Sequence, residues 1–169
     1  MTISLVAWVV LMVSVLILPV SAAAQDTPAL RALKALDSAT QIGLTLGEYR
    51  ARVIDAKVAV DRELASEPSP ERRRALARAM DFHVAAIDAW SARGDRFGEV
   101  AVARYPVVQT CPLAAAFVGT HQKTVVGGAV VLYGDDTLMR AVQVFWACSG
   151  AAVREAEGSA PRRPPKERT

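Results

Sequence analysis

Residues 45–93 read TLGEYRARVIDAKVAVDRELASEPSPERRRALARAMDFHVAAIDAWSAR, and this stretch decides the fold. Thr45 and Glu48 have the spacing of a capping box, in which each side chain bonds the backbone amide of the other residue. The apolar residues that follow recur at steps of three or four, which is the period of one helix face. They are Leu46, Tyr49, Val53, Ala56, Val60 and Leu64. The pattern predicts an amphipathic helix that ends before Pro68 and Pro70.

A second helix is predicted directly after this proline corner. Ser69 is a favourable N-cap, Pro70 suits the first helical position, and Glu71 complements the positive end of the helix dipole. The apolar face of this helix is Leu76, Met80, His83, Ile87 and Trp90. Gly94 is the predicted C-terminal stop. Two long helices joined by a short corner lie antiparallel, so residues 45–93 predict a helical hairpin.

The segments on either side of the hairpin predict helices that pack on it. A short helix is expected from Pro28 to about Ile42, and a last helix over residues 136–157. The last helix has one apolar stripe, formed by Leu138, Val142, Phe145, Cys148 and Ala152. Residues 95–135 show no dominant period and are expected to be irregular, with a short edge strand and a short helix. The predicted fold class is therefore all-α, a small helical bundle built on the hairpin.

The N-terminal segment has the features of a secretory signal peptide. Residues 5–18 are almost wholly apolar, Pro19 follows them, and three alanines at positions 22–24 provide a cleavage site. Cleavage there makes residues 1–24 a signal peptide and Gln25 the mature N-terminus. The alternative is an uncleaved membrane anchor, although the apolar run is shorter than the roughly 20 residues that a bilayer-spanning helix needs. The sequence therefore predicts an exported protein, periplasmic or secreted.

Residues 25–157 are enough for a single helical domain with one core. Residues 158–169, GSAPRRPPKERT, combine three prolines with four basic residues and predict a disordered tail. The net charge of this tail equals the formal charge of +3 of the whole chain, so the rest of the chain is close to neutral. Nucleic-acid binding is therefore not expected. The tail is expected to aid solubility, with contact to an anionic envelope surface as the alternative.

Cys111 and Cys148 are the two cysteines of the chain, and both lie in its exported part. In an oxidising compartment such a pair predicts one disulfide. The bond would close a loop of about 37 residues and stabilise the fold by about 4 kcal/mol in the chain-entropy estimate. A redox or metal-binding pair is the alternative, but the chain lacks C-x-x-C and has no histidine at ligand spacing.

Common catalytic motifs are missing from the sequence. It contains no G-x-S-x-G, H-E-x-x-H or G-x-G-x-x-G, so no enzyme activity, cofactor or metal is predicted. His121 lies in a polar stretch and is expected to face water. His83 and Met80 lie on the buried stripe of the second hairpin helix, and they are the basis for an alternative. This alternative is a small-ligand or haem carrier with a pocket between the hairpin and the last helix, around Met80, His83, Phe145 and Trp146.

Two groups of side chains are candidate contacts for a partner. Trp90 and Trp146 either belong to the core or line a groove. The other group is a basic row at a helix N-terminus, where the helix dipole disfavours positive charge. The row is expected to be exposed, either as solvated arginines, which is the commoner case, or as a site that recognises an anion. The row consists of Arg72, Arg73, Arg74 and Arg78. The leading hypothesis is a non-catalytic exported module that binds a protein or envelope component, with membrane contact only through an uncleaved N-terminal segment.

Overall fold

The computed structural model describes residues 26–93, 98–101, 105–124 and 128–159, and these are mostly helical. The α-helices are α1 (Pro28–Ile42), α2 (Leu46–Leu64), α3 (Pro70–Ala92), α4 (Pro112–His121) and α5 (Asp135–Gly158). The strands are β1 (Glu99–Ala101), β2 (Lys123–Thr124) and β3 (Val130–Tyr133), and a 3-10 helix spans Pro106–Thr110. The predicted all-α class is confirmed, with a small three-stranded sheet added to it.

Several predictions concern residues outside this description. The predicted signal peptide of residues 1–24 lies there, as do residues 160–169 of the predicted tail and the predicted helix stop Gly94. Helix α5 includes Gly158, which the sequence had assigned to the tail. Among the described residues, no helix combines the length and the apolar composition that crossing a membrane requires.

Local sequence signals account for the ends of the hairpin helices. The Glu48 amide donates to Thr45 Oγ1 at 3.3 Å, and the Thr45 amide donates to the Glu48 carboxylate at 2.9 Å. The predicted capping box at the start of α2 is therefore confirmed. At the start of α3, the Ser69 hydroxyl accepts from the Arg72 amide at 3.2 Å. The two helices flank the proline corner as predicted.

Four of the helices form an antiparallel bundle. Short connections at residues 43–45 and 65–69 make α1, α2 and α3 successive antiparallel neighbours. Helix α5 runs antiparallel to α3, because Arg78 pairs with Glu155 near one end and Phe82 packs on Phe145 further along. The interface between α3 and α5 is the most extensive in the described residues, and α5 also packs on α1. The result is an up-down-up-down bundle in which each helix has two main neighbours.

The predicted apolar stripes supply most of the core. All five stripe residues of α5 are buried, and so are the central residues of the α2 stripe. Leu46 and Leu64, at the ends of α2, are half-buried, as are Ile87 and Trp90 in the last part of α3. The helix period read from the sequence therefore identifies the inward face of each long helix correctly.

The expectation of an irregular region between α3 and α5 is wrong in part. Strand β3 lies between β1 and β2 and pairs antiparallel with both. The register places Val100 opposite Leu132, and both side chains are buried. Helix α4 covers the helix predicted at residues 112–118 and continues to His121. Strands of two to four residues are too short to display a period in the sequence, which is why the sheet was not predicted.

The predicted disulfide between Cys111 and Cys148 is confirmed, with the two Cα atoms 6.0 Å apart. Cys111 directly precedes α4, whereas Cys148 is buried in α5. The bond therefore attaches α4 and the adjoining 3-10 helix to α5 of the bundle.

Breaking this disulfide is expected to lower the free energy of unfolding by about 4 kcal/mol, because the cross-link restricts the unfolded chain. The measurement is urea denaturation of a variant carrying Cys111→Ala and Cys148→Ala. Reduced wild-type protein is the control for the loss of the buried Cys148 side chain, and it should unfold at a midpoint close to that of the variant. An unchanged midpoint on reduction would contradict the prediction.

Candidate functional site

The outward side of the α2–α3 hairpin carries exposed apolar side chains, and we call this surface the outer seam. Its residues are Ile54, Val58 and Val84, which are 64%, 46% and 36% exposed. Ile54 and Val58 are one turn apart on α2, so they lie on the same helix face. Scattered single apolar residues are normal on a protein surface, whereas neighbouring ones mark a candidate contact area.

Polar interactions between the two antiparallel helices indicate that Val84 faces the same stretch of the hairpin as Ile54. Arg50 donates to the Ser91 hydroxyl on one side of the pair. On the other side, partial burial raises the pKa of Asp81, and the nearby Lys57 ammonium opposes that rise. On α2, Ile54 lies four residues after Arg50 and three residues before Lys57. On α3, Val84 lies three residues after Asp81 and seven residues before Ser91. The exposed apolar residues therefore lie between a hydrogen bond across the hairpin and a longer-range electrostatic interaction across it.

Sequence reasoning missed the outer seam, although a signal for it exists. Ile54 and Val58 fall off the buried stripe of α2, at positions where an amphipathic helix normally carries polar side chains. An apolar residue off the stripe is the observable sign of a second apolar face.

The two tryptophans meet in the interior, in an aromatic cluster made of Tyr49, His83, Trp90 and Trp146. The ring centroid of Tyr49 lies 5.8 Å from that of Trp90 and 5.6 Å from that of Trp146. The ring centroids of the two tryptophans are 5.8 Å apart. These are distances of direct ring contact. A flat ligand between two stacked rings needs them about 7 Å apart. The tryptophans therefore pack on Tyr49 and on each other, and both are half-buried.

A chain of hydrogen bonds runs through this aromatic cluster. The Trp146 indole Nε1–H donates to the Tyr49 hydroxyl at 2.8 Å. An indole N–H only donates, so the hydroxyl keeps its own proton for His83 Nδ1, which lies 2.7 Å away. The carbonyl of His83 is a longer alternative at 3.5 Å. This arrangement gives the neutral His83 ring a proton on Nε2.

Burial keeps the aromatic cluster uncharged. Tyr49 and His83 are fully buried, and burial lowers the pKa of His83 to about 4 and raises the pKa of Tyr49 above its ordinary value. His83 Nε2 has no hydrogen-bond partner among the described residues. The cluster therefore contains one ring nitrogen whose hydrogen-bonding capacity is unused.

The residues predicted for a haem or small-ligand pocket are packed in the core. Met80 and His83 are one turn apart on α3, so they cannot approach one iron from opposite faces of a haem. Phe145 packs against Phe82 with ring centroids 6.2 Å apart, and Met80 and Phe145 are buried. The structure thus brings His83 and Trp146 together through Tyr49, and it places Met80 in the apolar interior.

The expectation of an exposed arginine row is wrong for Arg72, which is only 5% exposed. Its guanidinium donates to Thr27 at 2.9 Å and to Glu63 at 3.2 Å, and its Nε lies 3.1 Å from a Glu67 oxygen without hydrogen-bond alignment. We call these four residues the Arg72 cluster. Glu63 also accepts the Thr27 hydroxyl proton at 2.6 Å. Two carboxylates therefore compensate the buried charge, which the sequence could not reveal because they come from another helix and its following turn.

The other three arginines do not form one continuous cationic surface. Arg73 donates to the backbone carbonyl of Glu67, and Arg78 pairs with Glu155 of α5. Arg74 is exposed to solvent. The row therefore divides between helix-to-helix contacts and solvent, and its predicted role in partner contact stays a prediction.

Two clefts border these features. One, of about 340 Å³, lies between the end of α3 and β1 and contains the carboxylates of Asp88 and Glu99. Tyr105 donates to Asp88, and the Ser91 hydroxyl donates to the Ile87 carbonyl, so the hydroxyls of this cleft are engaged. The other, of about 480 Å³, lies at the proline corner beside the carboxylates of the Arg72 cluster. No group of three or more metal-binding side chains is found among the described residues.

Comparisons with protein-family models, with curated proteins and with solved structures found no match to this chain.

Replacing Arg72 with methionine is expected to lower the free energy of unfolding by about 3–5 kcal/mol, because two buried carboxylates lose their cation. The measurement is urea denaturation. Arg74→Met is the matched control, since Arg74 is exposed on the same helix, and its effect should stay within about 0.5 kcal/mol. Similar losses in the two variants would show that the ion pairs of Arg72 contribute nothing specific.

Tyr49→Phe is expected to lower the free energy of unfolding by about 2 kcal/mol, because His83 and Trp146 both lose their hydrogen-bond partner. Thermal denaturation followed by circular dichroism measures the change. Tyr133→Phe removes a hydroxyl from a side chain that is 46% exposed, and it should leave stability nearly unchanged. If the two variants lose equal stability, the hydrogen-bond chain makes no measurable contribution to the free energy of unfolding.

Proposed function

We propose that this protein is an exported, non-catalytic binding module of the cell envelope or extracellular space, and that a partner protein docks on the outer seam. The observation that carries the proposal is the apolar group of Ile54, Val58 and Val84 on the solvent side of the hairpin. Exposed neighbouring apolar residues rimmed by polar ones are typical of protein interaction sites.

Export is supported by two independent features. The N-terminal residues 1–24 have the pattern of a signal peptide. The disulfide between Cys111 and Cys148 is of a kind that persists in oxidising compartments and is rare in the cytosol.

A binding role is also supported by how the interior polar groups are used. In the Arg72 cluster, the guanidinium forms an ion pair with each of the two carboxylates. In the aromatic cluster, the Tyr49 hydroxyl accepts a hydrogen bond from Trp146 and donates one to His83. Polar groups that hold helices together in this way contribute to the stability of the fold. We therefore assign recognition of a partner to the surface.

The shape and charge of the outer seam suit a helical partner. Two antiparallel helices leave a shallow groove between them, and an amphipathic helix can lay its apolar face into such a groove. The seam has an apolar centre, with Arg50 and Lys57 on α2 and Asp81 on α3 around it. This mixed polar rim favours a partner that carries both signs of charge beside its apolar residues.

A photo-crosslinking residue, p-benzoylphenylalanine, placed at Val58 is expected to form one discrete protein adduct in the cells that make this protein. Val84→Glu in the same chain should reduce that adduct at least tenfold, because a carboxylate in the apolar centre of an interface is costly. The same probe at Leu113, an exposed apolar residue on α4, is the matched control and should give no such adduct.

Equal adducts at positions 58 and 113, or an adduct at 58 that Val84→Glu leaves unchanged, would contradict docking on the outer seam. Native mass spectrometry of the protein purified without reductant tests the alternative function. A discrete small-mass adduct that denaturation removes would favour the small-ligand or haem carrier.

A further inference from the structure

The hydrogen-bond chain of the aromatic cluster connects three helices of the bundle. Tyr49 belongs to α2, His83 to α3 and Trp146 to α5. Helices α2 and α5 lie diagonally across the bundle and have little direct contact, so the Tyr49 hydroxyl spans the centre. Tyr49 lies in the first helical turns of α2, directly after the capping box. Its two hydrogen bonds therefore attach the beginning of α2 to the α3–α5 pair.

The chain can be satisfied only while His83 is neutral. Trp146 and Tyr49 each donate one proton along the chain, and His83 Nδ1 accepts the last one. A proton added to Nδ1, 2.7 Å from the Tyr49 oxygen, would turn this nitrogen from an acceptor into a donor, so the Tyr49 proton would lose its acceptor. Tyr49 would then have to turn its O–H toward the His83 carbonyl, which is 3.5 Å away and lies within α3. At that distance the new hydrogen bond is weak.

No nearby charge compensates a protonated His83. The titratable group that faces its ring from α2 is Tyr49, which burial holds in its neutral form. From α5 the cluster receives the indole of Trp146, which carries no charge. Burial lowers the pKa of His83, and no charged side chain of the described residues forms an ion pair with its ring. An imidazolium here would be a buried, unpaired charge.

We propose that His83 is an acid-sensitive lock, in which uptake of one proton releases the beginning of α2 from α3 and α5 while the α3–α5 pair stays packed. The opened form lets His83 reach water, where it binds a proton at its ordinary pKa. The α3–α5 pair has the most extensive interface in the described residues, and its direct contacts include the Ser149–Ala79 hydrogen bond and the packing of Phe82 on Phe145.

The direction and size of the response follow from the two pKa values of His83. The closed form takes up a proton near pH 4 and the open form near 6.5, so lowering the pH between these values favours the open form. From pH 7 to pH 4 the ratio of open to closed molecules is expected to rise about 100-fold, and it should change little further below pH 4. The Ile54 and Val58 side chains are carried by α2, so acid would also alter the outer seam. That consequence depends on the proposed function, whereas the lock itself does not.

Hydrogen exchange of oxidised protein from pH 7 to pH 4, corrected for intrinsic exchange rates, tests the lock. Protection of amides at residues 49–56 should fall about 100-fold, while amides in the middle of α3 keep their protection. His83→Gln should abolish this pH dependence, because a glutamine carbonyl accepts from Tyr49 and does not titrate. His121→Gln changes the other histidine, which is half-buried and stacked on Phe117 rather than facing water as expected, and it should respond like the wild type.

The lock would be overturned by a pH-independent protection of residues 49–56 in the wild type, by an unchanged pH dependence in His83→Gln, or by a parallel loss of protection in α3. If His83→Gln does not fold, ¹⁵N NMR of the His83 ring in the wild type still tests the lock. The ring ¹⁵N shifts should place the proton of neutral His83 on Nε2 and should report protonation together with the loss of protection. Protonation of His83 without any change at residues 49–56 would also overturn the proposal. Failure of the crosslinking experiment leaves these measurements unaffected, so the lock and the docking proposal can fail separately.

Discussion

The close approach of α3 and α5 is the constraint on which the rest of the structure depends. Small residues on α3 allow it, because Ala79 and Ala86 are fully buried and present almost no side chain to the neighbouring helix. The Ser149 hydroxyl of α5 donates to the Ala79 carbonyl at 3.0 Å, a contact that a large side chain at either position would prevent. Phe82 and Phe145 fill the adjoining space. The other two bundle helices then close the ring around this pair, and the disulfide attaches the sheet-containing segment to it.

The hairpin contains two polar clusters, one charged and one uncharged, at different positions along its length. Near the proline corner, the Arg72 cluster holds a charged group with two carboxylates and joins α1, α2 and α3. Nearer the other end, the aromatic cluster is uncharged and joins α2, α3 and α5. Both require matched partners, since an unpaired polar group in the interior is costly. They therefore specify which helices are neighbours.

Much of the fold follows from local signals in the sequence. The capping box at Thr45, the Ser69-Pro70 start and the apolar period predicted α2 and α3 because each depends on residues only a few positions apart. The candidate contact residues were less predictable. The sequence left open whether Trp90 and Trp146 belong to the core or line a groove, and it did not predict their joint contact with Tyr49. The reason is that ring contacts depend on how three separate helices are rotated about their axes.

The amino-acid sequence by itself determined the helices, their inward faces, the antiparallel hairpin and the pairing of the two cysteines. These depend on hydrogen bonds within a turn, on a repeat of 3.6 residues and on there being a single possible disulfide. Only the tertiary structure decided that Arg72 is buried with two carboxylates and that His83 is held by Tyr49. It also decided that Ile54 remains at the surface. Each of these outcomes depends on which side chain from a distant part of the chain occupies the adjacent space, and no local pattern contains that information.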